Sequence, residues 1–324
     1  MRTAALTLLL LFYVATTFAW GPEGHQTVAE LARTMLTPEA DGQVKIILGN
    51  DNLAAVATWS DEIRNAARGK GPLVHDQEAT NFNQAHPHND QWHFVNLPLA
   101  TTNYIDNGPF STTNDVIHII NRCIDVLEGK SNEMTKSQAL RVLVHMVGDI
   151  HQPLHVGTGY FNVNDADNVE LITEPAEAAG KPNDVGGNDL FYGPGPYDEL
   201  HGYWDGHLVE DIDHTTTYHK LVPYLSNKVD KVNLKTPGDY HKWAEKWATD
   251  SVKQALAAYQ GLQFNNPVFN SHQMLKKLSI TLPEGYASNE TQVAAQQICK
   301  AGFHLADLLN HIQWASSTSP DNQP

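Results

Sequence analysis

The segment LVHMVGDIHQPLH, residues 143–155, strongly constrains how this chain folds. His145 and Asp149 are four positions apart, so on a helix both side chains project from one face, one turn apart. An imidazole and a carboxylate in that arrangement can bind the same cation. Pro153 then ends the helix and turns the chain, so that His155 approaches from another direction. The segment therefore predicts a helix whose end carries metal ligands.

A second pair with the same spacing, His201 and Asp205, stands in the segment HGYWD. One such pair is equally compatible with a hydrogen-bonded buried histidine or with a solvated helix face. Two pairs on an apolar and aromatic background favour metal binding. Zinc is the ion that suits imidazole and carboxylate ligands, whereas calcium requires more oxygen ligands.

The first 19 residues have the features of a secretory signal peptide. Arg2 precedes an apolar run from Ala4 to Val14, and the small residues Thr17 and Ala19 stand at positions −3 and −1 of a cleavage site. A membrane anchor needs about 20 consecutive apolar residues, and this run is shorter. We therefore expect export and cleavage before Trp20, with no membrane span in the remaining chain. The sequence leaves open whether the product is periplasmic, attached to the cell surface or secreted.

The chain is acidic, with a formal net charge of −16 and 17 histidines among 324 residues. Proteins that bind duplex nucleic acid without sequence preference neutralise its phosphates with lysine and arginine. This chain has no basic stretch, so the positive charge for any phosphate-ester substrate has to come from another source. Its two cysteines, Cys123 and Cys299, are compatible with a disulfide bond, and Cys123 equally with a buried free thiol on an apolar helix stripe.

The hydrophobic periodicity predicts a mainly α-helical single domain. Pro38 is expected in the first turn of a helix, and Thr135 and Gln138 have the spacing of a capping box. Two long turn-rich stretches, 68–111 and 156–198, are expected as loops, and loops of this length are often functional. The predicted helices span residues 24–36, 38–48, 53–67, 112–129, 136–151, 217–231, 237–259 and 291–313.

Six motifs follow one another along the chain: WGPEGH, TWSDEIR, WHFVNLP, HMVGDIHQPLH, GGN and LHGYWD. In these motifs the chain resembles the S1/P1 nucleases, which are exported zinc-dependent nucleases and 3'-nucleotidases distantly related to bacterial zinc phospholipase C. The resemblance implies one mainly α-helical domain, residues 20–315, with long loops around a trinuclear zinc cleft. Residues 316–324 are expected to form a flexible tail.

The resemblance also implies which residues hold three Zn²⁺ ions. The expected ligands of one ion are Asp61, His93, His145 and Asp149. The expected ligands of its neighbour are His155, His201 and Asp205. The third ion is expected to bind His25, Asp149 as a bridging ligand, and the α-amine and carbonyl oxygen of Trp20. Three dications against three carboxylates leave a net charge of +3, which would attract a phosphodiester.

The expected reaction is the attack of a zinc-bound hydroxide on phosphorus, with Asp61 orienting the water. The resemblance implies that Arg64 and Asn188 contact the phosphate and that Phe94 stacks on a base. A surface cation and a core aromatic are the alternative interpretations of Arg64 and Phe94. Asn96 stands where some family members have an aspartate that contacts the base edge, so base preference is left open.

Two other functions are alternatives for such a metal site: a zinc phospholipase C and a non-catalytic exported zinc-binding protein. The context of Phe94 and the aspartate at position 205 favour a nuclease over a phospholipase. Arg64 and Asn188 would be unnecessary in a protein that only binds zinc. The expected substrates are single-stranded nucleic acid or nucleotides, and no obligate protein partner is evident. Polymer length preference, the role of the 156–198 stretch and the oligomeric state are left open.

Overall fold

Helices form the framework of the chain. The computed structural model describes residues 20–165, 168–212, 217–228, 234–271 and 274–315. About half of the structure is helical and the rest includes only small sheets, which confirms the expected mainly α-helical single domain. The predicted signal peptide, residues 1–19, and the predicted tail, residues 316–324, lie outside the described residues. No helix within the described ranges combines the length and apolar character needed to cross a membrane.

The described helices are numbered in chain order. They are α1 Pro22–Arg33, α2 Pro38–Leu48, α3 Leu53–Val56, α4 Trp59–Ala67, α5 Gln77–Ala85, α6 Val116–Leu127, α7 Lys136–Asp149, α8 Pro153–Val156, α9 Leu200–Gly202, α10 Leu208–Asp211, α11 Tyr218–Lys228, α12 Trp243–Ala258 and α13 Tyr286–His311. A π-helical turn, Tyr203–His207, connects α9 to α10.

Helix α7 lies at the centre of the core, because every residue from Leu140 to Asp149 except Arg141 is buried. Helices α1 and α13 pack against each other, and α6 packs along α7. The start of α7 is fixed by the expected capping box. The Thr135 hydroxyl accepts a hydrogen bond from the N–H of Gln138, and the Gln138 side chain accepts one from the N–H of Thr135. The buried end of α7 carries His145 and Asp149 into the interior.

The predicted helix over 53–67 is wrong in one respect, since it is broken into α3 and α4. Ala57 and Thr58 lie between the two pieces, so the carbonyl of Ala57 is outside both helices. It accepts a hydrogen bond from Nδ1 of His145 at 2.7 Å. The interruption therefore provides a hydrogen-bond acceptor at the end of the core where α7 terminates.

The two stretches that were predicted as loops, 68–111 and 156–198, contain helices and strands. Helix α5 lies within 68–111, and Asp76 caps it by accepting a hydrogen bond from the N–H of Ala79. Strands occur in both stretches and after α12. They are β1 Leu97–Pro98, β2 Gly157–Thr158, β3 Phe161–Asp165, β4 Asn168–Leu171, β5 Leu190–Phe191, β6 Gln263–Phe269 and β7 Leu275–Thr281.

The strands form three small sheets. Strands β1 and β2 pair in parallel, with Leu97 opposite Gly157, and so align the segments that follow His93 and His155. Strands β3 and β4 form an antiparallel hairpin. In the third sheet β7 lies in the centre, parallel to β5 and antiparallel to β6. Cys123 and Cys299 are both buried free thiols, so the disulfide alternative is wrong.

Candidate metal centre and active site

The first part of the candidate site lies where α4 and α7 meet the segment before β1. Asp61 projects from α4, His145 and Asp149 from α7, and His93 from that segment. Nδ1 of His93 is 2.9 Å from Oδ2 of Asp149 and 3.8 Å from Oδ1 of Asp61. Nε2 of His145 is 3.4 Å from the same Asp149 oxygen. The structure therefore brings together all four residues that the resemblance assigned to one ion.

His25 enters this group from the first turns of α1. Its Nε2 lies 3.2 Å from Oδ1 of Asp149, while Oδ2 of Asp149 faces His93. The His25 ring stacks on that of His145 with centroids 3.8 Å apart. Gly148 makes this approach possible, since a Cβ there would lie 2.6 Å from Nδ1 of His25. The two oxygens of Asp149 thus face different histidines, as expected of a bridging carboxylate.

Trp20 is fully buried beside the same cluster. Its indole Nε1 donates a hydrogen bond of 3.1 Å to the carbonyl of Gly148. The N–H of the next residue, Gly21, donates to the carbonyl of Asp205 at 2.6 Å. Because Trp20 lies between two segments that carry predicted ligands, its main chain is held at the cluster. The indole also makes a specific hydrogen bond, which its position in the sequence did not indicate.

The remaining predicted ligands form a second group. His155 lies in α8, His201 in α9 and Asp205 in the π-helical turn that follows α9. Nε2 of His201 is 3.3 Å from Oδ2 of Asp205, and the His155 and His201 rings are 4.9 Å apart. Nδ1 of His155 is 4.0 Å from Oδ1 of Asp149, so the two groups adjoin. The ligand atoms of this triplet all lie within 4.8 Å of one another.

Three of the imidazoles are oriented by hydrogen bonds to main-chain carbonyl groups. Nδ1 of His145 donates to Ala57, Nδ1 of His155 to His93 at 2.6 Å, and Nδ1 of His201 to Gly186 at 2.7 Å. A carbonyl only accepts, so each Nδ1 carries the proton and each Nε2 presents a lone pair. Such contacts are typical of histidines that ligate metal.

Several polar atoms of the cluster are buried without any hydrogen bond, which normally costs about 1–3 kcal/mol each. They include Oδ2 of Asp61, Oδ1 of Asp149, Oδ2 of Asp205, and Nε2 of His145 and His155. Oxygen and imidazole lone pairs that face one another can be satisfied by cations bound between them. This donor set suits zinc, and the groups fit the predicted ions.

Burial shifts the pKa values of these groups in opposite directions. It lowers the pKa of His93 and of His155 well below the ordinary value, and the positive charge of Arg64 adds to both shifts. It raises the pKa of Asp149 and of Asp205, because a buried carboxylate loses its hydration. The imidazoles are therefore neutral near pH 7, as metal ligands must be, while the carboxylates require nearby positive charge.

Residues predicted to contact substrate lie around this cluster. Nη2 of Arg64 is 2.7 Å from Oδ1 of Asp61, and the Arg64 side chain is only 12% exposed, so the interpretation of Arg64 as a surface cation is wrong. Asn188 donates from Nδ2 to the carbonyl of Val185 at 2.8 Å and so closes its own turn. Phe94 is half-buried. Oδ1 of Asn96 accepts a hydrogen bond of 3.0 Å from the hydroxyl of Thr158.

One residue that contacts a predicted ligand was missed in the sequence. The amide of Gln152 is fully buried and donates to Oδ1 of Asp205 at 2.7 Å. Gln152 stands between the predicted ligands Asp149 and His155, in the HQPLH segment, and this position is the one feature of the sequence that could have indicated its role. Local spacing could not have indicated the contact, since Asp205 is 53 positions away.

Comparison with known proteins gives consistent matches. The family model described as S1/P1 Nuclease matches residues 20–313. Nuclease S1 of Aspergillus oryzae is 25% identical over 342 residues, which cover 96% of this chain and 98% of the relative. Nuclease P1 of Penicillium citrinum is 24% identical, covering 90% of this chain and 97% of the relative. Endonuclease 2 of Arabidopsis thaliana is 22% identical and covers 95% of each chain.

Proposed function

The chain belongs to the S1/P1 nuclease family, and we propose that it is a zinc-dependent enzyme that cleaves single-stranded RNA and DNA and removes the 3'-phosphate from nucleotides. Family membership identifies a nuclease, a hydrolase of phosphodiester bonds. The observation that supports the zinc-dependent reaction is the buried cluster of three aspartates and five histidines. A protein has little reason to leave several buried oxygen and nitrogen atoms of these side chains without hydrogen bonds unless cations bind between them.

We assign the cluster to three zinc ions. One would bind Asp61, His93, His145 and Asp149, and a second would bind His155, His201 and Asp205. The third would bind His25, Asp149 and the main chain of Trp20, whose α-amine is created when the signal peptide is removed. The mature enzyme would then be an exported domain of residues 20–315 followed by the tail 316–324.

Bound zinc would lower the pKa of a water molecule and polarise the phosphate oxygens. Asp61 lies within the cluster and is suited to orient that water as a general base. The guanidinium of Arg64 is held at Asp61, and its remaining N–H groups are suited to stabilise negative charge on the phosphate in the transition state. Asn188 has a second amide proton for the same purpose.

Two residues are proposed to bind the nucleobase. The half-buried ring of Phe94 offers a face for stacking, which contributes about 1–3 kcal/mol and accepts any base. Asn96 would contact the base edge. Stacking on Phe94 requires an unpaired base, which single strands and free nucleotides provide. The metal cluster would supply the positive charge that an acidic chain otherwise lacks.

The proposal is tested by metal analysis together with a substrate panel. We expect mass spectrometry of the cleaved protein to find three zinc ions per chain. Activity should appear on single-stranded RNA and 3'-AMP, not on 5'-AMP, and should be lost with a chelator and restored by zinc. His155→Ala should abolish activity and reduce the zinc content, whereas His75→Ala, at an exposed histidine, should change neither. Phosphocholine release from lecithin with no action on 3'-AMP, or zinc binding without turnover, would contradict the proposal.

A further inference from the structure

A buried aspartate outside the predicted ligand set, Asp184, stands just before the Gly186-Gly187-Asn188 turn. Its side chain is completely inaccessible to solvent. Oδ1 accepts hydrogen bonds from the N–H groups of Gly159 at 3.2 Å and Gly187 at 3.1 Å. Oδ2 accepts one from the hydroxyl of Tyr259, beyond the end of α12, at 2.9 Å. The carboxylate therefore joins three separate segments of the chain.

Burial of the Asp184 carboxylate carries a cost in folding free energy. Burial raises the pKa of this carboxyl to about 7, although the hydrogen bonds from Tyr259, Gly187 and Gly159 oppose the shift. The neighbouring Asp189 carboxylate raises the pKa further, and among the described residues no lysine or arginine opposes the shift. A buried carboxylate stabilised only by neutral donors is costly to maintain, which suggests that the geometry it imposes matters for the site.

The turn that follows Asp184, residues 185–188, is strained and packs against α8. Val185, Gly186 and Gly187 all have positive φ, at 56°, 61° and 83°, a region that a β-branched residue such as Val185 rarely adopts. A Cβ at Gly186 would overlap the carbonyl oxygen of Leu154. Strained turns persist only where neighbouring contacts hold them. The hydrogen bond from Gly187 to Asp184 is one such contact, and that from Asn188 to Val185 is another.

The turn contacts His201 directly. Its Gly186 carbonyl accepts the proton of Nδ1 at 2.7 Å, and its Gly187 carbonyl accepts the main-chain N–H of His201 at 3.3 Å. If the turn shifted, Nδ1 of His201 would lose its acceptor. Nε2 would then no longer be held as the lone-pair nitrogen facing Asp205.

We propose that Asp184 is a positioning residue: it ties the glycine turn to Tyr259 and thereby fixes the tautomer and direction of the His201 imidazole. This inference deepens the proposed function, because it rests on His201 being a metal ligand. Asp184 itself lies behind the turn and acts on the ion only through Gly187 and Gly186.

The test compares two buried aspartate–tyrosine pairs. Asp115 is also buried and also accepts a 2.9 Å hydrogen bond from a tyrosine, Tyr104, but it caps α6 and contacts no predicted ligand. We would measure the His201 tautomer by nitrogen NMR of the metal-free protein, and zinc affinity by competition with a chelator. The tautomer measurement does not depend on catalysis, so it separates failure of this inference from failure of the proposed function.

We expect Asp184→Ala to abolish the fixed Nδ1–H tautomer of His201 and to weaken the binding of the zinc assigned to His201 by about 10- to 100-fold. Asp115→Ala should lower the melting temperature but leave both measurements unchanged. If Asp184→Ala does not fold, Tyr259→Phe is compared with Tyr104→Phe. Tyr259→Phe should weaken zinc binding by about 2- to 10-fold, the effect of one hydrogen bond, and Tyr104→Phe should not. Equal behaviour of the two pairs, or an unchanged His201 tautomer, would show that Asp184 only stabilises the fold.

Discussion

The side-chain amide of Gln152 holds Asp205 by a 2.7 Å hydrogen bond, while its oxygen accepts the N–H of Leu154 at 2.5 Å. The carboxylate is thereby tied to the first turn of the helix that carries His155. Residues that orient ligands in this way typically contribute 10- to 100-fold to metal affinity.

We predict that Gln152→Leu lowers zinc affinity by about 10- to 100-fold, because the freed carboxylate loses its fixed direction. Chelator competition would measure the change. Gln297→Leu is the matched control, since Gln297 is also buried and donates to the carbonyl of His151 rather than to a predicted ligand. Equal losses in the two variants would show that Gln152 has no special relation to the metal.

The buried position of Trp20 leads to a prediction about processing. One extra residue before Trp20 would convert its α-amine into an amide, a poor metal donor. We expect this protein to bind one zinc fewer per chain and to lose most activity. Mass spectrometry of native protein gives the count. Trp20→Phe, which keeps the amine but lacks the hydrogen bond to Gly148, should retain all three ions. Three zinc ions and full activity in the extended protein would disprove a ligand role for the new N-terminus.

A third prediction concerns Glu290 on α13, which is buried and whose Oε2 makes no hydrogen bond. Burial raises the pKa of this carboxyl to about 7. The folded state therefore binds a proton between about pH 4.5 and pH 7 that the unfolded state has lost, so this group's contribution to stability decreases as pH rises through that window.

Glu290→Gln should accordingly have little effect on the free energy of unfolding at pH 5 and should increase it by about 2–3 kcal/mol at pH 8. Chemical denaturation at both pH values measures the difference. Glu284→Gln on the exposed surface should stay within about 0.5 kcal/mol of the native protein at each pH. A stabilisation that is the same at pH 5 and pH 8 would contradict the assigned ionisation.

The fourth prediction concerns base preference. The oxygen of Asn96 is engaged by Thr158, so its amide has N–H donors left for a base. Asn96→Asp would replace them with an acceptor. We expect the ratio of kcat/KM between bases to change by about 2- to 10-fold, the effect of one hydrogen bond. Assays on the four 3'-nucleotides measure it, and Asn50→Asp, the same charge change at an exposed position, should leave the ratio unchanged. An unchanged ratio in Asn96→Asp would remove Asn96 from the base site.

Local chemistry determined much of what the sequence could predict. The capping box at Thr135 and Gln138 depends on residues three apart, and both of its hydrogen bonds are present. The approach of His145 to Asp149 follows from helix periodicity. Pro38 begins a helix because it needs no intrahelical N–H partner there. Such features are encoded within a few residues, so no knowledge of the fold was needed to find them.

Only the tertiary structure revealed contacts between residues far apart in the chain. The sequence did not predict the pairing of β6 with β7, and α5 lies inside a stretch that was predicted as a loop. Whether such short segments become strands or helices depends on the residues they pack against in the fold. The hydrogen bond from Gln152 to Asp205 and the burial of Asp184 depend on how distant segments meet. The sequence by itself therefore determined which groups are available to bind metal. The fold decided which of them lose their water, and that loss of hydration makes the buried carboxylates and imidazoles suited to bind cations.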